Sequence, residues 1–346
     1  MRHDDSSSTA HRHHPLVGAT AWIITDGKAG MDVQCIGIAE ALGVRYEMKR
    51  VAPKGIYRTL APYGPVDPKE RFGAPGTPFA PPFPALAIAT GRASIPYIRA
   101  LGRRAGHNTY RVVLQDPKTR AGIADLVWVP EHDRRRGPNV LRTLTAPHAF
   151  TAERLSSLRS NLPAWITALP SPRLTVVLGG KNAVYRFTEG DDDRLQAILQ
   201  SFAGLGVSFL VTPSRRTHKR LITAVETATQ GRPRVIWDGQ GNNPYPEMLA
   251  AADMLLVTAD SVNMCGEAAA TGRPVYVFEP TGGSPKFRRF HEDLEREGLT
   301  PREDGNTVSM ELENGEMKKN ALVYRIYLAA MSHEVRLART AITGRS

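Results

Sequence analysis

The residues with the clearest potential for chemistry follow an apolar run at positions 254–258. Asp260 and Ser261 stand where a helix is predicted to begin, and Met264 and Glu267 lie within that helix. The free N–H groups and the positive dipole end of a helix start suit a phosphate group. Glu267 lies less than two helical turns after Ser261, where a carboxylate could hold ribose hydroxyls. An ordinary helix cap followed by a surface glutamate is the alternative interpretation.

A second candidate site consists of hydroxyl and guanidinium groups after the apolar run 207–212. Ser214, Arg215 and Arg216 are predicted to open the next helix. Because the planar fork of arginine matches the oxygens of a phosphate, this cluster predicts a diphosphate site. The alternative is a basic helix end that faces only solvent.

Two further segments contribute candidate ligand-binding residues. Gly180 follows a predicted strand at 174–178, and a glycine there lets the backbone approach a ligand closely. Asn243 and Tyr245 precede another predicted helix. A tight turn and a capped turn, respectively, explain the same residues without a ligand. In parallel α/β sheets ligands bind beyond the carboxyl ends of the strands, so we expect such segments to share one pocket.

The first half of the chain supplies the candidate catalytic groups. Asp26 lies in a glycine-bearing turn after the strand 19–24, which has neither P-loop nor dinucleotide-fingerprint spacing. His132 and Asp133 follow the strand 125–129, and a histidine pKa near neutrality suits a general base. A surface histidine explains His132 equally well. Since no further set of His and Asp residues has metal-ligand spacing, we predict neither a metal nor another cofactor.

The elements that must position these groups form two copies of one pattern. Short apolar strands alternate with helices, which is typical of a parallel sheet covered on both faces. The pattern restarts after a Pro-Ser-Pro sequence at 170–172. We therefore predict an α/β fold with two tandem Rossmann-like parallel-sheet domains, 18–170 and 171–346. Residues 1–17, rich in Ser and His, are predicted to be a disordered tail.

The net charge indicates the chemical class of the partners, and the cysteine content indicates the redox state of the compartment. The 346 residues include 45 basic and 34 acidic side chains, for a net charge of +11. Such an excess favours anionic partners such as nucleotides, phosphorylated sugars, anionic lipid surfaces or nucleic acid. Cys35 and Cys265 are too few for a disulfide framework, which fits a reducing cytoplasm. No apolar stretch of the sequence reaches the roughly 18 residues that a membrane-spanning helix needs.

As a set, these motifs resemble those of a known family. They occur in the same order as in the bacterial relatives of the plant elongated-mitochondria fission factor. The residues that carry the resemblance are Trp22, Asp26-Gly27-Lys28-Ala29-Gly30, Gln34, Thr90-Gly91-Arg92, Asp116-Pro117, Pro130-Glu131-His132-Asp133, Gly179-Gly180, Ser214-Arg215-Arg216-Thr217, Asn243-Pro244-Tyr245 and positions 258–268. Asn263 and Cys265 depart from the family pattern, which usually has serine there. The resemblance implies a GT-B-like layout with an interdomain cleft, and a last helix, 320–341, that crosses back onto the first domain.

The resemblance also implies a glycosyltransferase that uses a nucleotide sugar without a metal. The donor is expected on the C-terminal domain, around Arg215 and Ser261, and the acceptor on the N-terminal domain. Asp26, His132 or Asp133 would deprotonate the acceptor. A cell-envelope or lipid-linked glycan is the expected acceptor, which fits a cytoplasmic protein at the inner face of an anionic membrane.

Two other functions stay open at this point. The plant relative is known as a recruiter of a dynamin-like protein to the mitochondrial surface, which implies a non-enzymatic adaptor with a relic nucleotide pocket. A nucleic-acid binder is third, but the sequence has no RNA- or DNA-binding signature and its basic clusters lack interleaved aromatics. We therefore predict no nucleic-acid partner. Release of nucleotide from a donor distinguishes the enzyme from the adaptor.

Overall fold

Two parallel β-sheets organise the chain, which the computed structural model describes over residues 17–120 and 122–297. These residues form two compact units, the first up to Leu126 and the second from Val127 onwards. Helices connect most successive parallel strands, as the sequence pattern predicts, but no helix lies between the last three strands of the first sheet in the described residues. The predicted α/β class with two tandem Rossmann-like sheets is therefore confirmed.

The first sheet contains six strands within the described residues. They are β1 (Thr20–Thr25), β2 (Arg45–Arg50), β3 (Leu86–Thr90), β4 (Tyr110–Leu114), β5 (Leu126–Pro130) and β6 (Val140–Thr143). Their order across the sheet is β2-β1-β3-β4-β5-β6. The helices of this region are α1 (Ala29–Ala41), α2 (Gly55–Leu60) and α3 (Ile95–Ala105), with 3-10 turns at Pro68–Glu70, Arg92–Ser94 and Gly106–Asn108.

The second sheet contains five strands in the described part of the chain. They are β7 (Arg173–Leu178), β8 (Ser208–Pro213), β9 (Arg234–Ile236), β10 (Met254–Thr258) and β11 (Val275–Phe278). Their order is β11-β10-β7-β8-β9. The helices are α4 (Ala152–Ser160), α5 (Ala164–Thr167), α6 (Glu189–Gly204), α7 (Lys219–Ala228), α8 (Tyr245–Ala251), α9 (Val262–Ala269) and α10 (Pro285–Arg296).

Local sequence explains why these elements form. Every residue of β3 and of β10 is buried, which matches their continuous apolar composition. In α6, Leu195, Leu199 and Phe202 recur at helical spacing and belong to the core under the second sheet. The same helix begins with a capping box, in which Thr188 and Asp191 bond each other's backbone N–H groups. Apolar periodicity and caps thus determine the elements on which the candidate site rests.

Each sheet has one point at which the strand order reverses. β2 and β3 lie on opposite sides of β1, and β8 and β10 lie on opposite sides of β7. In open α/β sheets a ligand binds beyond the carboxyl ends of the strands at such a reversal. These ends are Thr25 and Thr90 in the first sheet, and Leu178 and Thr258 in the second.

Four elements differ from the sequence prediction. The helix expected to open at Ser214 begins instead at Lys219. The strand β6 and the helices α2 and α10 were not predicted. β6 has only four residues, and its pairing with β5, Val127 opposite Val140, is a long-range contact that a short sequence window does not contain.

The predictions about the two ends of the chain and about the division between the domains stay open. The predicted tail 1–17, apart from Val17, and the predicted last helix 320–341 lie outside the described residues. The last strand of the first sheet ends at Thr143 and the first strand of the second sheet begins at Arg173. The domain division near residue 170 and the interdomain cleft stay predictions.

Candidate functional site

A glycine pair at the reversal of the second sheet leaves no room for side chains. Gly179 and Gly180 follow directly after β7. A Cβ at Gly179 would lie 1.9 Å from Oδ1 of Asp260, and a Cβ at Gly180 would lie 2.1 Å from the carbonyl oxygen of Arg216. Both positions therefore require glycine, because the loop is packed directly against the segments that follow β8 and β10.

Asp260 joins these segments. Its carboxylate is fully buried and accepts hydrogen bonds from Oγ1 of Thr258 (2.7 Å), from the N–H of Gly180 (3.1 Å) and from Nη2 of Arg216 (2.9 Å). Burial raises the pKa of Asp260, and these hydrogen bonds and the charge of Arg216 oppose that rise. Asp260 thus anchors both the Gly179-Gly180 loop and Arg216.

The turn after β8 is held to the same loop. Oγ1 of Thr217 donates to the carbonyl oxygen of Gly179 (2.6 Å) and accepts from the N–H of Ser214 (2.9 Å). Oγ of Ser214 accepts from the N–H of Arg216 (3.2 Å). Arg215 is exposed. Both arginines therefore lie in a turn that precedes α7, and the prediction that they form its first turn was wrong.

The start of α9 adds a helix N-terminus at the reversal. Ser261 is its N-cap, and Oγ of Ser261 accepts from the N–H of Met264 (3.3 Å). Ser261 and Met264 are half-buried, whereas Cys265 behind them is buried. The remaining N–H groups of a first helical turn have no intrahelical partner and carry the positive end of the dipole. The predicted helix start after Asp260 is confirmed.

Glu267, which is buried, and Tyr245, which is half-buried, form a separate pair. The hydroxyl of Tyr245 donates to Oε2 of Glu267 (2.6 Å). Burial raises the pKa of Glu267 to about 7, against the opposing effects of the Tyr245 hydrogen bond and the charge of Arg154. Oδ1 of Asn243 accepts from the N–H of Tyr245 (3.1 Å), which is the capped turn of the alternative interpretation. The ribose-binding role of Glu267 stays a prediction.

His132 and Asp133 lie close to α10. The His132 side chain is buried, with its ring edge-to-face against Phe290 at a centroid distance of 5.2 Å. Burial, together with the charge of Lys286, lowers the pKa of His132 to about 4. Oδ1 of Asp133 pairs with Nζ of Lys286 (2.7 Å). The histidine is therefore neutral near pH 7 and a weaker base than its ordinary pKa implied.

Asp26 lies at the reversal of the first sheet. Its Oδ2 accepts from Nζ of Lys28 (2.6 Å), while its buried Oδ1 has no hydrogen-bond partner among the described residues. Gly91, at the end of β3, has φ = 88°, and a Cβ there would lie 2.9 Å from Sδ of Met31 and 3.8 Å from Cγ of Asp26. Asp26 and Gly91 are thus neighbours, as expected for strand ends at a reversal.

The structure brings together Gly180, Ser214, Arg216 and Asp260. Arg215 and Ser261 are their neighbours in sequence, and Met264 is bonded to Ser261. The candidate list omitted Thr217 and Thr258, which hold the site in place. Both threonines lie within the quoted motifs, at or near the ends of predicted strands. That position could have indicated a role for their hydroxyls in the site. Convergence of the second-unit groups on Gly27 and Gly91 stays a prediction.

The described residues contain neither a cluster of metal-ligand side chains nor a helix that could cross a membrane. Over 17–120 and 122–297, no three His, Cys, Asp or Glu side chains are grouped in a way that would hold a metal ion. In the same residues, none of the helices has the length and hydropathy that a bilayer-spanning segment requires.

Sequence comparison identifies relatives. The family model described as "Mitochondrial fission ELM1" matches residues 29–322. The "Mitochondrial fission protein ELM1" of Arabidopsis thaliana is 28% identical over 240 residues, which cover 62% of this chain and 56% of that protein. The match therefore spans little more than half the length of this relative.

Structural comparison identifies the fold. The glycosyltransferase SnogD from Streptomyces nogalater matches with a TM-score of 0.51 and 14% identity, over 90% of this chain and 95% of that chain. Spinosyn forosaminyltransferase SpnP matches with a TM-score of 0.51 and 11% identity, over 93% and 95% of the two chains. At these identities the likeness shows the fold alone, which is that of GT-B glycosyltransferases.

Proposed function

Because the chain belongs to the mitochondrial fission ELM1 family and has a GT-B-like fold, we propose that it is a glycosyltransferase that binds a nucleotide-sugar donor beyond β7 and β10. The observation that carries the proposal is the pair of hydrogen bonds that the carboxylate of Asp260 accepts from the N–H of Gly180 and from Nη2 of Arg216. These bonds hold a side-chain-free backbone loop and a guanidinium beside the start of α9. Such an arrangement suits a diphosphate, because its donors are fixed before the ligand arrives.

In this proposal the leaving nucleoside diphosphate is stabilised by the protein's own charges. Arg215 is exposed, and Arg216 keeps 44% of its side chain exposed although it is paired with Asp260. The start of α9, capped by Ser261, supplies backbone N–H groups. Together they would balance the charge that develops on the diphosphate, so the proposal requires no metal or other cofactor.

We assign the general-base role to Asp26. Of the three candidates, His132 has a pKa of about 4 and Asp133 is paired with Lys286. Asp26 is also paired, through Oδ2 with Nζ of Lys28, but its Oδ1 has no hydrogen-bond partner among the described residues. It lies at the reversal of the first sheet, where ligands bind in α/β folds. It would accept the proton of an acceptor hydroxyl as the new glycosidic bond forms and the nucleoside diphosphate departs.

The acceptor and the compartment belong to the same proposal. We infer an acceptor from the cell envelope or a lipid-linked glycan, reached from the cytoplasm at the inner membrane face. The net charge of +11 supports this, because basic proteins concentrate near anionic lipid surfaces.

Nucleotide binding tests the donor site. Calorimetric titration with UDP, GDP and ADP is expected to give a Kd for at least one nucleotide. Arg215→Ala should weaken that binding by about one to two powers of ten, because a charge-assisted hydrogen bond contributes about 1.5–3 kcal/mol. Arg232→Ala is the matched control, since Arg232 is also exposed and lies in the turn before β9. Equal affinity of the wild type and Arg215→Ala would remove Arg215 from the site.

Arg216 needs a different variant. Arg216→Ala would leave the buried carboxylate of Asp260 without its cation, so weaker binding by that variant alone has two explanations. Arg216→Lys retains a charge but cannot form the planar fork. We expect it to bind nucleotide more weakly than the wild type while its unfolding midpoint stays nearly unchanged.

The second candidate function is an adaptor without catalysis, favoured by the description of the family and by the name of the Arabidopsis relative. An enzyme releases nucleotide from its donor sugar, and Asp26→Asn should slow that release without weakening nucleotide binding. Two results would support the adaptor. Either the wild type binds no nucleotide, or it binds nucleotide but produces no nucleoside diphosphate when given a nucleotide sugar and an acceptor.

A further inference from the structure

An open cavity of about 720 Å³ lies in the first unit, between α3 and the loop that follows α2. Four arginines line it, together with one aspartate and one phenylalanine: Arg71, Arg99, Arg103, Arg104, Asp67 and Phe72. The volume is in the range of small-molecule and headgroup sites. No residue of the proposed donor or base sites belongs to its lining.

Few negatively charged side chains balance the positive charge of this cavity. The half-buried guanidinium of Arg99 donates to the carbonyl oxygens of Pro62 (3.2 Å) and Gly64, and to no carboxylate among the described residues. Burial lowers the pKa of Arg99, and the nearby charge of Arg103 lowers it further. A cation that is held partly out of water beside another cation favours an anionic ligand.

The other charged groups of the cavity do not change this conclusion. Within the described part of the chain, the side chains of Arg71 and Arg103 make no hydrogen bond or ion pair. Arg104 lies over the ring of Phe72, 5.4 Å from its centroid. Asp67, the one lining carboxylate, is buried and accepts from the N–H of Lys69 (2.9 Å), where it caps a 3-10 turn. The negative dipole end of α3 favours the cations Arg103 and Arg104 in its last turn. It does not account for the presence of Arg71 and Arg99.

An exposed apolar row adjoins the cavity. The helix α2 buries none of its residues, although Ile56 and Leu60 lie one turn apart on one face and are 64% and 45% exposed. Tyr63, in the turn after α2, is 67% exposed and also lines the cavity. Lys54 and Arg58, on or beside the same helix, are exposed cations. This combination of large apolar and basic side chains is typical of segments that lie in a membrane interface.

We propose that α2 and the arginine cavity together form a docking site for an anionic phospholipid surface. Ile56, Leu60 and Tyr63 insert at the boundary between headgroups and acyl chains, and the cavity holds the phosphate of one lipid headgroup. The charge complementarity of Arg71, Arg99 and Arg103 with a phosphate favours a lipid over an uncharged protein partner. The site is separate from the proposed donor site, so vesicle binding can fail while nucleotide binding succeeds, and the reverse.

The experiment is sedimentation of the full-length protein with vesicles of phosphatidylcholine alone or with 30 mol% of phosphatidylglycerol added, at about 0.15 M salt. We expect binding to the mixed vesicles and little binding to phosphatidylcholine. Arg71→Gln/Arg103→Gln should weaken binding about thirtyfold, since each cation near an anionic surface contributes about a factor of five. Neither arginine bonds the described chain, so the unfolding midpoint should not change. Arg232→Gln/Arg288→Gln removes the same charge from exposed positions of the second unit and should reduce binding far less.

A second double variant, Ile56→Ser/Leu60→Ser, tests the apolar part. It should also lose most vesicle binding, whereas Leu205→Ser, at an exposed leucine of the second unit, should not. Equal losses for the two arginine pairs would overturn the proposal, because general charge attraction would then suffice. Wild-type binding by Ile56→Ser/Leu60→Ser would also overturn it, as would complete competition by free glycerol phosphate at millimolar concentration. Complete competition would point to a soluble phosphate compound as the occupant of the cavity.

Discussion

At the scale of single residues, the candidate site depends on a buried carboxylate that the ligand need not touch. Asp260 collects hydrogen bonds from Thr258, Gly180 and Arg216, which lie up to 80 positions away in sequence. A buried carboxylate is costly unless its hydrogen bonds are satisfied, so its partners are held firmly. The residue therefore prepares the loop and the arginine for a ligand.

Removing only the charge of Asp260 tests this role. Asp260→Asn keeps an acceptor oxygen but loses the pairing with Arg216, so we expect a loss of about 1–3 kcal/mol in the free energy of unfolding. Urea unfolding measures it. Asp193→Asn is the control, because Asp193 is 70% exposed in its pair with Arg220 and such pairs contribute about 1 kcal/mol or less. Equal effects of the two variants would contradict the anchoring role.

Glu267 predicts a dependence of stability on pH. The folded protein keeps the proton on Glu267 up to about pH 7, whereas the unfolded chain releases it near its ordinary pKa of 4.5. The folded state binds more protons in this interval, so its stability falls as pH rises from about 4.5 to about 7. The full effect is on the order of 3 kcal/mol.

The variant Glu267→Gln isolates this dependence. It cannot ionise, yet its amide oxygen can still accept from Tyr245. The difference in unfolding free energy between variant and wild type should therefore grow in favour of the variant between pH 5 and pH 7.5. Urea unfolding at both pH values measures the difference, and a constant difference would show that Glu267 is already ionised at pH 5.

At the scale of elements, the site is made by loops that are packed against one another at strand ends. The loop after β7 touches the segments after β8 and β10, which flank β7 in the sheet. Because parallel strands end at the same edge, residues 39 to 80 positions apart are brought within hydrogen-bond distance. The geometry of the loop is then set by the space that its neighbours leave.

Gly179→Ala tests that geometry. The added methyl group would lie 1.9 Å from Oδ1 of Asp260, so we expect a loss of about 1–3 kcal/mol in stability and weaker nucleotide binding. Gly190→Ala is the control in α6, where the nearest atom to a new Cβ is 4.0 Å away and alanine is the better helix former. Thermal unfolding of both variants measures the effect, and a Gly179→Ala protein as stable as the control would contradict this packing.

At the scale of the whole molecule, α4 and α5, which lie between β6 and β7 in sequence, pack in the core of the second sheet. Leu155 of α4 packs in one core cluster with Leu249, and Ile166 of α5 packs in another with Leu210. Arg159 donates to the carbonyl oxygens of Ala250 (3.1 Å) and Thr271 (2.7 Å). The second compact unit, which begins at Val127, therefore contains both helices.

Two fragments test where an independent folding unit begins. A fragment of residues 144–346 should unfold cooperatively, and a fragment of residues 171–346 should be less stable. Loss of the buried Leu155 and Ile166 alone removes about 1.5–3 kcal/mol each, a large share of the usual stability of a domain. Urea unfolding followed by circular dichroism measures both. Equal stability of the two fragments would show that residues 144–170 add nothing to the folding unit.

The sequence by itself determined the fold class and most strands and helices, whereas the binding role of the candidate segments stays a prediction. Continuous apolar runs such as 254–258 and the N-cap at Ser261 are local patterns, and local propensities suffice to predict them. The tertiary structure alone decided which side chains meet. It paired Arg216 with Asp260 and buried Glu267 and His132, which moved their pKa values in opposite directions. These outcomes depend on desolvation and on contacts between distant segments, which no short window of sequence contains.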